Sequence, residues 1–340
     1  MHKEAYLVKS LSAGNVQCQT CEHFCVVKPG ETGKCGVHRN LDGTLYLVVY
    51  GEAIAVHVDP IEKKPLFHFM PGSDALSIGT YGCNFRCPFC QNWQMSQTRD
   101  FDDQLDYLGQ QAMPKALVNT CLQNHIPIIA YTYNEPTVFF EYNYDTAKLA
   151  HEHGIKNVYV SNGYMSRAAL DMIEPYLDGI NVDLKAFTDK FYREHCQARL
   201  EPVKRNIAHI ARESDIWIEI TTLLIPGLND SEDELRAMAA WLASVDPGLV
   251  WHVTAFHPDY EMRDRPRTSQ RALAQAYEIG KEAGLRYVYV GNVMDTDRES
   301  TYCPACGEKL IQRHWHNVKE LWRERGVCHR CGQAVAGIWK

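Results

Sequence analysis

From about residue 72 to residue 291 the chain alternates short apolar runs with amphipathic stretches. The runs are Ala75–Gly79, Ile128–Tyr133, Asn157–Ser161, Gly179–Asp183, Trp217–Leu224, Val250–Ala255 and Arg286–Val290. Each has strand length and is too short for a helix that must bury a face. Helical signals fall between them. Ser231 and Glu234 form a capping box ahead of Leu235, Met238, Ala239 and Leu242, which recur at the spacing of one buried helix face. Pro114 can open a helix running toward Asn124. Repeated strand–helix alternation predicts a parallel sheet. Six or seven units over about 220 residues suit a full or partial barrel, and a doubly wound open sheet reads similarly.

Two cysteine-rich segments flank this core. The first region, 1–71, holds CQTCEHFC and then Cys35 in GKCGVHRN. Strand-like runs Thr44–Tyr50 and Glu52–Asp59 follow, split near Gly51, and predict a hairpin in a small metal-stapled domain. The core region is placed at 72–300. The last, 301–340, opens with CPACG and returns with CHRCG.

Composition narrows the function class. The chain has 340 residues, 45% hydrophobic and 23% charged, which is ordinary globular material. A net charge of −7 makes a nucleic-acid backbone an unsuitable partner. No stretch approaches the roughly 20 apolar residues that span a bilayer, and the start MHKEAYLVKSLSAGN has no long apolar run. The expectation is a cytoplasmic protein with no membrane and no nucleic-acid partner. Thirteen cysteines in a reducing compartment suggest metal ligands or catalysis rather than disulfides. Eleven fall into three clusters, and Cys121 and Cys196 stand alone as small buried hydrophobes.

The central cluster lies in SIGTYGCNFRCPFCQNW, where Cys83, Cys87 and Cys90 follow the first core strand as C-x3-C-x2-C. That spacing lets a compact loop wrap three thiolates around one face of a cubane cluster. Iron–sulfur clusters normally take four cysteines, and no fourth is near in sequence, so one iron is left open for a substrate or cofactor. A zinc site lacking a ligand reads the same in isolation. The loop lies just past the carboxyl end of a strand, where barrels place their active sites.

Here the chain resembles the radical S-adenosylmethionine (SAM) superfamily, on Cys83, Cys87, Cys90 and the aromatics Phe85 and Phe89 in their loop. The resemblance implies a [4Fe–4S] cluster on the three cysteines and SAM on the open iron. It also implies reductive cleavage of SAM to a 5′-deoxyadenosyl radical that abstracts hydrogen from a substrate. A low-potential electron donor such as ferredoxin or flavodoxin is implied with it. In the glycyl-radical-enzyme activase branch a GGEP-type motif meets the SAM amino group, and Asn134 and Glu135 of YTYNEP take that place here without the glycines. Ser161 and Asn162 end the third run, with Asn162 placed for the ribose. Asp183 and Lys185 end the fourth, with Lys185 placed for the SAM carboxylate. A His after the sixth run touches the ribose in that branch, and His257 is preferred over His252.

Cys303, Cys306, Cys328 and Cys331 form two C-x2-C pairs, each followed by glycine, a zinc-ribbon pattern that a rubredoxin-type iron would also fit. Four thiolates leave no open position, so the site is expected to fold a small domain. Cys18, Cys21, Cys25 and Cys35 give C-x2-C-x3-C-x9-C, which suits zinc or an auxiliary cluster, with zinc slightly preferred.

The segments GKCGVHRN, KKPLFHFMPG, GCNFRCPFCQNW, TYNEPTVFFEY, NVDLKAF, PGLND, FHPDY, YVYVGNV and CPACG, in that order, resemble the AmmeMemoRadiSam system radical SAM enzymes, related to pyruvate formate-lyase activating enzyme. That resemblance implies Memo-like and AMMECR-domain proteins as partners. The expected fold is a partial TIM-like (β/α)6 barrel with a Cys-rich N-terminal domain and a zinc-ribbon-like C-terminal one. The expected substrate is a protein or peptide. The alternatives are a glycyl-radical-enzyme activase, a small-molecule-modifying radical SAM enzyme, and a non-catalytic metal-stapled binding module.

Overall fold

The computed structural model describes residues 2–98 and 109–339. Eight strands make the central sheet: β1 Ala55–Pro60, β2 Asp74–Gly79, β3 Ile128–Tyr131, β4 Lys156–Ser161, β5 Gly179–Asp183, β6 Trp217–Leu224, β7 Val250–Ala255 and β8 Tyr287–Gly291. They lie side by side in chain order, from β1 at one edge to β8 at the other. From β2 to β8 every pairing is parallel, while β1 runs antiparallel to β2. All seven apolar runs of the core region are therefore strands. Several are buried almost throughout, as in β3 and β7, because helices cover one face and the interior fills the other. His57 and Asp59 of β1 and Val290 and Gly291 of β8 line one cavity, so the sheet curls until its two edges face the same space.

Six helices connect the parallel strands: α1 Pro114–Gln123, α2 Phe140–Glu152, α3 Arg167–Ile173, α4 Leu200–Glu213, α5 Glu232–Val245 and α6 Gln270–Glu282. Pro114 sits in the first turn of α1. Ser231 caps α5, and Leu235, Met238, Ala239 and Leu242 are buried. Only half of the capping box forms. Glu234 turns away to accept a hydrogen bond from the Phe187 amide at 2.6 Å, tying α5 to the loop after β5.

The first region departs from expectation. Its hairpin pairs His38–Leu41 with Thr44–Leu47, and β1 pairs with β2 instead of with the preceding run. The chain between them turns at residues 48–51, with Gly51 at φ 73°. A six-residue strand gains more ladder bonds on the edge of a large sheet than beside a four-residue neighbour. The boundary near residue 71 thus falls inside a sheet: β1, on one side of it, is part of the core.

Between β1 and β2 the chain packs against β6 and the C-terminal segment. Glu219 of β6 is fully buried and accepts from Phe67 N (2.9 Å), His68 N (2.7 Å), Trp217 Nε1 (2.9 Å) and His252 Nε2 (2.6 Å). Arg313, also fully buried, donates to Phe67 O at 2.6 Å and Thr301 Oγ1 at 2.7 Å, with its guanidinium over the Phe67 ring. Buried charges are tolerated when paired and bonded in this way. The KKPLFHFMPG segment is thus a plug holding sheet and C-terminal hairpin together.

His68 in that plug is neutral by geometry. Its Nδ1 faces Ala336 O at 2.6 Å and its Nε2 faces the Tyr289 hydroxyl at 2.6 Å, a fit for one donor and one acceptor. Burial pushes its pKa down to about 4 against the pull of Glu219. Below the ordinary value of 6.5 the unfolded chain takes up this proton while the folded chain does not. Stability from His68 is complete above that pH and is lost as pH falls toward 4, by up to roughly 3 kcal/mol. In His68→Gln, the slope of melting temperature against pH between 7 and 4.5 should be visibly shallower than in the parent. Identical slopes would show that His68 does not carry this dependence.

Candidate active site

The three central cysteines lie in the loop that leaves β2. The turn needs Gly82, at φ 84°, because a Cβ there would collide with the Cys35 carbonyl and the Val37 side chain. Cys83 and Cys87 are buried and Cys90 is partly exposed. Phe85 N donates to Cys83 Sγ at 3.4 Å, and Cys90 Sγ lies 3.1 Å from Ser96 Oγ. Burial pushes the Cys83 and Cys90 thiols up, and Cys87 is raised by its contact with Cys196 and by burial. Such thiols give up their protons to a bound metal rather than to water. All three line a cavity of about 240 Å³ together with Asn134, Asn162, Asp183 and Lys185.

Lys185 Nζ and Asp183 Oδ2 are 3.0 Å apart just past the end of β5. Burial opposes the Lys185 charge, but Asp183, Cys87 and Cys196 outweigh it and hold its pKa well above the ordinary value. The cavity thus presents a fixed cation and a carboxylate beside three sulfurs. The residues present fit a cluster with one uncommitted corner and a zwitterionic ligand next to it.

Asn134 and Glu135 act on the loop itself. Asn134 Nδ2 donates to Gly82 O at 2.8 Å, and its Oδ1 accepts from Thr80 N at 3.3 Å. Glu135 is fully buried and accepts from Thr137 N (3.0 Å), Thr137 Oγ1 (2.5 Å), Ser161 Oγ (2.9 Å) and Asn162 N (2.6 Å). Asn162 Nδ2 then reaches Asn84 Oδ1 at 3.1 Å and Cys83 Sγ at 3.6 Å. Glu135 and Ser161 therefore stand behind the cavity wall and position Asn162, which is in the wall. His257 lies outside the cavity lining, with Nδ1 3.0 Å from Gln91 Nε2 at the exposed rim. His252 lines a second cavity.

That second cavity, about 690 Å³, adjoins the first: Asn92, Tyr133, Asn134, Asp183, Thr254 and Asn292 line both. Sequence reasoning assigned nothing to its other walls. Asp59 bonds Lys64 Nζ at 2.9 Å and the Tyr133 hydroxyl at 2.7 Å, with Lys64 over the Tyr133 ring. Tyr133 has φ 72°, a strained backbone for a residue with a side chain, kept by Asn92 Nδ2 on its carbonyl at 2.8 Å. The charged pair in KKP was the available signal for this wall. Cys196, read from sequence as an isolated hydrophobe, is fully buried with its Sγ 3.8 Å from Cys87 Sγ.

The C-terminal cysteines come together as expected. Cys303, Cys306, Cys328 and Cys331 have sulfurs all within 4.8 Å of one another. Cys303 and Cys331 are 3.5 Å apart, and Cys306 and Cys328 are 3.6 Å apart. Gly307 N and Gly332 N bond back to the Cys303 and Cys328 carbonyls in the two knuckles. This is the spacing of four thiolates around one tetrahedral ion at about 2.3 Å. Among the described residues no helix is long and apolar enough to cross a membrane.

Comparison with known proteins agrees with this geometry. The model of the radical SAM superfamily matches residues 77–240. An uncharacterized protein of Methanocaldococcus jannaschii is 39% identical over 336 residues, covering 98% of this chain and 98% of that protein. A putative glycyl-radical enzyme activating enzyme of the same archaeon is 29% identical over 220 residues, covering 64% of this chain and 79% of that protein. A radical SAM methyltransferase from Sphaerobacter thermophilus shares the fold, with a TM-score of 0.50 at 17% identity over 71% of each chain.

Two outcomes follow from the site. Glu135→Ala leaves the Asn162 amide and Ser161 hydroxyl without their acceptor and should cost about 2–4 kcal/mol in anaerobic urea unfolding. A loss below about 1 kcal/mol would show that the carboxylate does not brace the loop. Cys303→Ser with Cys328→Ser should remove one equivalent of metal and lower the melting temperature, read by elemental analysis and calorimetry. Unchanged metal content would exclude the four-sulfur site.

Proposed function

We propose that the chain, whose residues 77–240 match the radical SAM superfamily, cleaves SAM reductively and takes a hydrogen atom from a protein or peptide substrate. The observation that carries this reading is the single cavity shared by Cys83, Cys87, Cys90 and the Lys185–Asp183 pair, opening into the 690 Å³ chamber. The superfamily's [4Fe–4S] cluster and SAM together supply a 5′-deoxyadenosyl radical when bound.

The chain's own residues bind and orient. Cys83, Cys87 and Cys90 hold the cluster as thiolates. Lys185 meets the SAM carboxylate as a buried cation, and Asp183 meets the amine or a ribose hydroxyl. Asn134 and Asn162 fix the cluster loop and border the ligand, and His257 closes the rim with Gln91. Glu135 and Ser161 hold Asn162 at its distance from Cys83. The substrate's reacting atom enters from the chamber, where Tyr133, Asp59 and Lys64 form a rigid charged wall. A low-potential one-electron donor protein, of ferredoxin or flavodoxin kind, supplies the electron. The curled sheet is read as a partial (β/α)6 barrel with a seventh parallel strand at its edge. The ordered segments from GKCGVHRN to CPACG support Memo-like and AMMECR-domain proteins as partners.

The relation to a putative glycyl-radical enzyme activating enzyme supports a protein target. The chamber supports a second reading, small-molecule modification, because its volume suits an enclosed small ligand.

Anaerobic protein reconstituted with iron and sulfide, reduced with dithionite and given SAM should form 5′-deoxyadenosine. The Cys83→Ala/Cys87→Ala/Cys90→Ala variant should form none. Absence of product from the parent, with zinc as its only metal, would favour a non-catalytic binding module instead.

A further inference from the structure

The sulfurs of Cys18, Cys21, Cys25 and Cys35 are arranged for something larger than a zinc ion. The protein carries two internal standards for thiolate spacing. The Cys303 set, closed to sulfur–sulfur contacts of 3.5 and 3.6 Å, has the compactness of a one-ion site. The Cys83, Cys87, Cys90 trio, assigned above to a cluster, does not meet that compactness. Among the described residues the Cys303 set is the one group whose ligand atoms all lie within 4.8 Å. The N-terminal four therefore fall with the cluster trio.

They do share one centre. All four line a single apolar cavity with Thr20, His38, Asn84 and Thr137. The space left between them is about 20 Å³. That exceeds the roughly 10–15 Å³ that one water-sized sphere occupies, whereas a tetrahedral ion at about 2.3 Å from each sulfur draws them into contact.

A separate observation points to a ligand. Asn84 is 2% exposed, and among the described residues its Nδ2 has no hydrogen-bond partner. Its Oδ1 is taken by Asn162, and its carbonyl faces His23 Nε2 at 2.8 Å. An orphaned buried donor is rare and costs free energy unless something accepts from it. In the four-cysteine cavity, the acceptor chemistry at hand is sulfur. His38 adds a second polar group there. Its Nδ1 lies 3.7 Å from Cys35 Sγ and its Nε2 3.1 Å from the buried Glu141 carboxylate, the carboxylate–histidine arrangement that orients ligands around a metal.

We propose that Cys18, Cys21, Cys25 and Cys35 bind a second iron–sulfur cluster rather than zinc, and that an electron reaches the Cys83 cluster through it. The placement follows from contacts already described. The Cys35 carbonyl packs against Gly82, and Asn84, in the wall of this cavity, follows Cys83 directly in the chain. Cys21 and Cys25 are partly exposed, whereas Cys83 and Cys87 are buried, so the site bridges surface and interior. One electron leaves a reduced low-potential donor, dithionite in the test below, and passes through the second cluster to the first. The donor ends oxidised by one electron and the first cluster reduced by one, with no bond made or broken. The electron route rests on the radical SAM reading above, and the identity of the second cluster does not.

The test uses the full chain with Cys83→Ala, Cys87→Ala and Cys90→Ala, reconstituted anaerobically. It should retain about four iron and four sulfide per chain and about one zinc, with the Mössbauer signature of a [4Fe–4S] cluster. Adding Cys18→Ser and Cys21→Ser should abolish that iron. Two zinc and no iron in the triple variant would overturn the proposal, as would iron that survives the five-fold variant. Should the triple variant fail to fold, the parent should contain about eight iron per chain, and about four would overturn the proposal. In the dithionite-reduced parent, electron paramagnetic resonance should show two spin-coupled clusters, and the triple variant one uncoupled signal. Non-interacting signals in the parent would overturn the electron route. Failure to make 5′-deoxyadenosine while the triple variant keeps its iron would count against the radical SAM reading alone.

Discussion

The position of the loop that carries Cys83 depends on one buried carboxylate. Glu135 is fully buried and is saturated by four donors, two from Thr137 in the turn after β3 and two from Ser161 and Asn162 at the end of β4. A buried carboxylate is costly unless bonded this fully, so its geometry is nearly single-valued. That fixes Asn162, and Asn162 fixes Asn84 and the Cys83 sulfur. Asn134, one residue earlier, holds the same loop by its backbone at Gly82. Three thiols alone do not define a loop conformation, and these bonds supply the bracing.

The same physics recurs at the far end of the sheet. Glu219 and Arg313 are buried among donors and acceptors that belong to the plug between the first two strands and to the C-terminal hairpin. The plug therefore joins the sheet to the tail that carries the four C-terminal cysteines. Between the two braced ends lies the chamber, walled by the Asp59–Lys64–Tyr133 group. It is continuous with the cysteine cavity through Asn92, Tyr133, Asn134, Asp183, Thr254 and Asn292. The three cysteine sets then divide by spacing among the described residues: the Cys303 set has all its sulfurs within 4.8 Å of one another, and the other two, in backbone contact through Gly82 and Cys35, do not.

Much of this was legible in the sequence. Seven apolar runs became seven parallel strands because period and length report burial on two faces directly. Ser231 and Pro114 marked helix starts because capping is a local interaction. The Cys303 set was readable because its two pairs and their glycines are local knuckles. The alternation of strand and helix gave a parallel sheet but left its strand order open between a barrel and a doubly wound sheet. The motif around Cys83, taken with its place after the first core strand and the aromatics in its loop, carried the family resemblance before any contact was known.

Other features were decided only by tertiary structure. Strand partners at the edge of the sheet depend on which ladder is longer, so β1 left its sequence neighbour for β2. Glu135 and Ser161 looked like ligand contacts in a linear motif, and only packing shows that their oxygens bond to the chain itself. Cys196 is distant from Cys87 in sequence, and only the fold brings the sulfurs together. The Asp59–Tyr133 wall joins residues 74 positions apart. Sequence records residue type and local spacing. The distance between sulfurs, the sharing of a cavity and the absence, among the described residues, of a partner for Asn84 Nδ2 are properties of packing, which no spacing along the chain contains.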